Sequence, residues 1–143
     1  MTLTPEEQAS RREAMQELMT STRYMSSLGL VVEKWDEDSV RMRLPFDERL
    51  TNDGAVHHGG AVASLMDSVG AGAVWAGHDF DKGVRAATIS MTVNYTGAAP
   101  GSDLIGEAQC VRRGRDLSFS EMRVTDPDGK LVATGSLVYR IVP

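Results

Sequence analysis

The sequence predicts an α+β domain in which one curved antiparallel sheet wraps a single long helix. Three observations carry this. Residues 58–77 are apolar on every side of a helix and too long a run for a strand. Segments with strand character lie on both sides of that helix, and four follow one another after residue 85. The other helical segment, at the N-terminus, has sparse apolar marks and belongs on a surface.

Taken in order, Thr4 is a suitable helix cap, followed by Pro5 in the first turn and by Glu6 and Glu7 near the positive end of the dipole. This helix is expected to run to about Ser26, before Gly29, with Ala14, Met15, Leu18, Met19 and Met25 as its apolar marks. Leu30–Trp35 and Val40–Leu44 read as a hairpin turned at Asp36-Glu37-Asp38, with Val40, Met42 and Leu44 alternating against Arg41 and Arg43. Pro45–His57 reads as a loop with an Asn52-Asp53-Gly54 turn. The buried helix follows. From Ala86 the period is two, which sets Ile89, Met91, Val93 and Tyr95 on one face and Thr88, Ser90, Thr92 and Asn94 on the other. Leu104–Val111, Leu117–Val124 and Leu131–Ile141 are further strands. Their short connections, Asp126-Pro127-Asp128-Gly129 the clearest, make the last four strands antiparallel neighbours or nearly so.

The 143 residues fit one domain, 1–143, with residues 1–28 as a helical extension. At 41% apolar the chain can bury a core without staples. A formal charge of −5 with interleaved signs argues against a nucleic-acid partner. A single cysteine, Cys110, allows no intrachain disulfide and suits a reducing compartment. Met1 to Ser27 carries acids and no apolar run, so no secretory signal is expected, and the longest apolar stretch is interrupted by Asp67. A cytoplasmic protein with no membrane partner is expected.

Asp67 is the lone charge of the central helix. A carboxylate there must be paired, solvated by a pocket or kept for chemistry. The pattern leaves two readings open: a structural ion pair with Arg41, Arg43 or Arg85, or a functional acid. Gly60, Ala63, Ser64, Asp67, Gly70 and Ala71 recur at helical spacing, a small-residue stripe that admits a ligand or another backbone. His57-His58-Gly59-Gly60 leads into the helix, where unshielded N–H groups can hydrogen-bond an oxyanion. His57 and His58 lack a third ligand at metal spacing, so no metal is expected. Arg112-Arg113-Gly114-Arg115 reads either as a solvated turn or as a clamp for phosphates.

The string Asn52 to Asp67 resembles the PaaI-like branch of the hotdog-fold thioesterases. Six positions separate Asn52 from His58 in His58-Gly59-Gly60, and Asp67 follows His58 by nine. The resemblance implies a hotdog domain and hydrolysis of an acyl-CoA thioester, with coenzyme A entering only as part of substrate and product and no other cofactor. It implies Asp67 as general base or nucleophile, the Gly59 N–H as oxyanion donor, Asn52 as a holder of water or carbonyl, and His58 as a loop-shaping neighbour. Thr88 corresponds to a hydroxyl near the attacking water. The resemblance further implies Gly60 and Ser64 as neighbours of the substrate and, on the clamp reading, Arg112, Arg113 and Arg115 as contacts to the phosphates of coenzyme A.

Gly59 and Asp67 are eight residues apart, roughly 12 Å along one helix. Both can act on one carbonyl only from different chains, so a homodimer or a dimer of dimers is expected. A non-catalytic acyl-CoA binding module is the alternative function. A hydratase ranks behind both, because His58 and Asp67 do not share a face of the helix.

Overall fold

The computed structural model describes residues 2–143. Met1, with which the expected domain and its extension begin, lies outside the described residues. Helix α1 (Pro5–Ser21) starts at the expected cap: Thr4 and Glu7 form a reciprocal capping box. The N-terminal segment is two helices rather than one. Thr22 is extended (φ −64°, ψ 159°), and α2 (Arg23–Leu28) follows it and buries Leu28. α2 stops at Gly29, whose φ of 72° is the left-handed conformation that suits glycine at a helix end.

Strands β1 (Val31–Asp36) and β2 (Ser39–Leu44) form the hairpin, with Asp38 at φ 63° in its turn. The central helix α3 (Gly59–Ala76) is followed by β3 (Arg85–Tyr95), β4 (Leu104–Arg113), β5 (Leu117–Thr125) and β6 (Leu131–Val142). One six-stranded sheet results, in the order β1-β2-β4-β5-β6-β3, antiparallel throughout. β4, β5 and β6 are a meander, as expected. β3 is not beside β4; it pairs with β6 and forms the far edge. The reason lies in the 96–103 connection, which buries Ala99 and carries the chain from the edge to the middle of the sheet.

The sheet curves around α3, and the core sits between them. Leu65, Met66, Val69 and Ala73 have no exposed surface and pack with Met42, Leu44, Val124 and Ala133. Burying one such large side chain contributes about 1.5–3 kcal/mol. Gly106 lets the sheet approach closely, since a β-carbon there would stand 2.8 Å from the Leu65 side chain. Among the described residues, no helix is long and apolar enough to cross a membrane.

Candidate active site

The helix start is built by local hydrogen bonds. Asp53 Oδ1 accepts from the N–H groups of Ala55 (2.9 Å) and Val56 (3.0 Å), and these bonds hold its carboxyl below the usual range. The His58 N–H donates to the Leu50 carbonyl at 2.7 Å, which fixes where the helix begins. His58 is the N-cap: its Nδ1 accepts from the Gly60 N–H at 2.7 Å. Ala61 and Val62 donate to the His58 carbonyl. The Gly59 N–H meets no acceptor among the described residues. Tyr95 braces this point, its hydroxyl donating to the Gly59 carbonyl at 3.0 Å. Asn52 is exposed in the preceding loop, its backbone N–H donating to the Val56 carbonyl. His57 is buried edge-on against Phe46, and burial holds its imidazole below the ordinary value.

Asp67 has no cationic partner among the described residues. Arg41 and Arg43 pair with Glu33, Arg43 also with Asp103, and Arg85 donates to the Pro143 carbonyl. The ion-pair reading of Asp67 is thereby removed. Its one side-chain partner is Thr88, whose hydroxyl donates to Asp67 Oδ1 at 2.7 Å. This contact corrects the sequence alternation. The register of β3 on β6 shifts between Thr88 and Ser90, leaving Ile89 as an unpaired bulge residue. Thr88 lies opposite Tyr139, and Met91 opposite Leu137, so the bulge turns Thr88 to the same inner face as Met91 and Val93. Strict period two had placed it outside.

Asp67 and Thr88 border a cavity of about 320 Å³, walled by Trp75 and Tyr139 on one side and by α1 and α2 on the other. Burial raises the Tyr139 phenol above its ordinary pKa, with the Asp67 charge adding to the shift, and its oxygen accepts from Trp75 Nε1 at 3.1 Å. These lining groups were missed as site residues; the Met15, Leu18, Met19 spacing on α1 was their signal.

The small-residue stripe divides. Gly70 faces the sheet, within reach of Leu137 and Met122, and its carbonyl accepts from Ser120. Ser64 and Ser68 are met by this chain's own α2: the Tyr24 and Ser64 hydroxyls are 2.6 Å apart, and Ser68 Oγ lies 3.0 Å from Met25 Sδ. Gly60 is exposed. The arginine cluster divides as well. Arg113 closes the C-terminal end of α3, donating to the Val74 carbonyl at 3.0 Å and pairing with Asp38. Arg112 and Arg115 are exposed. Among the described residues, no group of three potential metal ligands occurs.

The thioesterase superfamily model matches residues 54–133 of this chain, from the loop before α3 into β6. The chain belongs to the thioesterase superfamily. A Halobacterium salinarum protein carrying an esterase name is 37% identical over 106 residues, 72% of this chain and 70% of that one. Acyl-coenzyme A thioesterase 13 of Mus musculus is 29% identical over 91 residues, covering 62% of this chain and 63% of that enzyme. The PaaI protein of E. coli superposes with a TM-score of 0.80 over 95% of this chain and 94% of its own, at 20% identity, a likeness in fold. The superfamily's hotdog fold is the architecture described above, and thioester hydrolysis is the superfamily's general chemistry.

Proposed function

We propose that this protein hydrolyses acyl-CoA thioesters at a site shared between two copies of the chain. The observation that carries the reading is Asp67: a carboxylate on a largely buried helix, held by one hydroxyl, free of any cation and open to an apolar cavity. Half-buried, the carboxylate keeps access to the cavity while the Thr88 hydroxyl orients it, an arrangement suited to a base and one that an ion pair would block. The likeness to the mouse acyl-coenzyme A thioesterase supports this reading.

In the proposed reaction Asp67 either takes a proton from water as hydroxide attacks the thioester carbon, or attacks that carbon itself. The carbonyl oxygen becomes an oxyanion at the Gly59 N–H, and collapse breaks the C–S bond: in the base route the free acid forms and the proton on Asp67 passes to the leaving thiolate of coenzyme A, while in the nucleophile route an acyl-Asp67 anhydride forms that water then hydrolyses to the free acid. A base of this kind contributes about 10²–10⁴-fold, and an oxyanion donor about 10²–10³-fold. No cofactor beyond coenzyme A itself enters. Asn52 would hold the water or carbonyl. His58 shapes the helix start by capping it, and Thr88 orients the carboxylate. Gly60 and Ser64 border the thioester, and Arg112 and Arg115 meet the nucleotide phosphates. Arg113 has its donors engaged within the chain.

Gly59 and Asp67 lie on one helix, roughly 12 Å apart along its axis, so the two must serve different carbonyls or come from different copies. The β3 edge supports a second copy. It is long, exposed and nearly free of charge, with Ile89 and Tyr95 more than half exposed. A two-fold pairing of such edges continues the sheet and brings one copy's helix start toward the other's Asp67.

The test is thiol release from a panel of acyl-CoA esters, with Asp67→Asn as control. Turnover at least ~10²-fold above the Asp67→Asn variant is expected. Tight binding without turnover would leave the non-catalytic binding module as the function. Mixed dimers of Asp67→Asn and Asn52→Ala chains, purified by two tags, should recover about half of wild-type activity if the site is shared. Activity at the level of the single variants would place each site within one chain.

A further inference from the structure

We infer that the N-terminal helices are the acyl-chain wall of this enzyme, and that Met15, Leu18 and Met19 set its preference for straight-chain acyl groups of about eight to ten carbons. The inference rests on the acyl-CoA reading and goes beyond the shared superfamily region, because residues 5–28 lie outside the matched 54–133.

Three observations support it. First, α1 buries none of its residues fully: Met15 and Met19 reach only the edge of the core, and Leu18 is half exposed. The helix is held by polar contacts at its start. The Leu3 N–H donates to Asp81 Oδ1 (2.9 Å), and Gln8 Nε2 donates to Asp79 Oδ1 (2.8 Å). Arg12 Nη2 donates to the His78 carbonyl at 3.0 Å. Further on, α2 is fastened by Tyr24 against Ser64 and by buried Leu28. Second, the span between these fastenings stands over the cavity beside Asp67: Met15, Leu18, Met19 and Thr22 line it, and Met25 joins them from α2. The extended Thr22 between the helices bends the chain around that space. Third, the lining suits a flexible chain. Thioether side chains adapt to an aliphatic occupant. The Trp75 ring is already stacked on Phe80 at 5.7 Å, with His78 and Tyr139 edge-on to it, so no open aromatic slot is offered. At about 30 Å³ per methylene-sized group, close to water's share of liquid volume, a cavity of about 320 Å³ holds about ten such groups.

The chain-length profile of kcat/KM decides it, measured for butyryl-, octanoyl-, decanoyl-, palmitoyl- and phenylacetyl-CoA. Wild type should peak at octanoyl or decanoyl. Met19→Trp, which fills the cavity, should lower the decanoyl-to-butyryl ratio at least about tenfold, since one methylene in an apolar pocket already discriminates about 10- to 200-fold. Met15→Ala, which enlarges it, should move the peak to longer chains. Circular dichroism checks folding, and Leu18→Phe replaces Met19→Trp if that variant does not fold. An unmoved profile in both the filling and the enlarging variant overturns the inference, as does a wild-type preference for phenylacetyl-CoA. If wild type hydrolyses none of the esters, the acyl-CoA reading itself fails. Calorimetric titration with decanoate and butyrate then judges the wall alone: saturable decanoate binding that Met19→Trp abolishes supports it, and no decanoate binding rejects it.

Discussion

The two ends of α3 are finished in opposite ways. At the C-terminal end the chain closes its own helix. Arg113 takes the Val74 carbonyl, Gly77 donates to Trp75, and Trp75 is enclosed by His78, Phe80 and Tyr139. At the N-terminal end the first residues are glycines, the cap is a histidine whose side chain satisfies only the second N–H, and the first has no acceptor among the described residues. Helix ends carry unsatisfied groups at both termini. A chain that satisfies one end with a guanidinium from a distant strand has the means to satisfy the other. On the proposed reading, the difference separates an end finished for stability from an end left open for the thioester.

Breaking the open end should give the largest effect. Gly59→Pro removes the free N–H while proline remains well suited to the first helical position. His58, at φ −57° and ψ 141°, already has the extended backbone that a residue before proline requires. The expected result is a folded protein with kcat reduced about 10²–10³-fold; activity near wild type would remove the Gly59 N–H from the mechanism. Breaking the closed end should instead cost stability. Arg113→Ala strips a charged donor from a half-buried carbonyl and leaves Asp38 unpaired, a loss of about 1–3 kcal/mol, read as a urea midpoint shift at unchanged m-value. A drop in acyl-CoA affinity without a stability change would return Arg113 to the phosphate clamp.

A third substitution sharpens the contrast between helix ends and helix middle. Thr88→Val keeps the shape beside Asp67 and removes its hydrogen bond. An approximately tenfold fall in kcat is expected, about 1.4 kcal/mol of transition-state stabilisation, with little change in melting temperature.

The smallest effect concerns pH. Burial holds His57 and His78 below 6.5 in the folded protein. The unfolded chain therefore takes up protons first as pH falls through 6.5, so their stabilisation is complete above that pH and declines below it. Asp79 and Asp103 are held below 3.8, by the Asp81 and Phe46 backbone N–H groups respectively, and lose their contribution only under that value. Urea midpoints should thus fall between pH 7.5 and 5.0, and His78→Asn should flatten that slope. A flat wild-type profile over this range would contradict the burial assignment.

Much of this architecture was legible in the sequence because it rests on local rules. The Thr4 cap, the Asp36–Asp38 turn and the all-round apolar segment around Asp67 each imply their structure without knowledge of neighbours. The Asn52–Asp67 motif drew its proposed roles from the family resemblance; helical spacing contributes only that Gly59 and Asp67 lie on one helix. What escaped depends on contacts distant in sequence. The pairing of β3 with β6 follows from how the 96–103 connection crosses the fold. Arg113 reads as one of three equivalent arginines until Val74 and Asp38 stand beside it. Met15 and Met19 read as weak apolar marks until the cavity beneath them is seen.

The bulge at Ile89 has a consequence for how this chain can change over time. A strand normally has one phase, and every residue inherits its face from the turn that begins it. Here the extra residue resets the phase midway. The segment before it answers to Asp67, and the segment after it answers to the core. Pairing the strand regularly through Ile89, with no bulge, would leave every side chain chemically intact yet rotate Ala86 and Thr88 to the outer surface, carrying the hydroxyl away from the carboxylate. Pairing phase at this point is therefore as constrained as residue identity, whereas losing Ile89 itself would leave Thr88 two positions before Met91 and still facing Asp67.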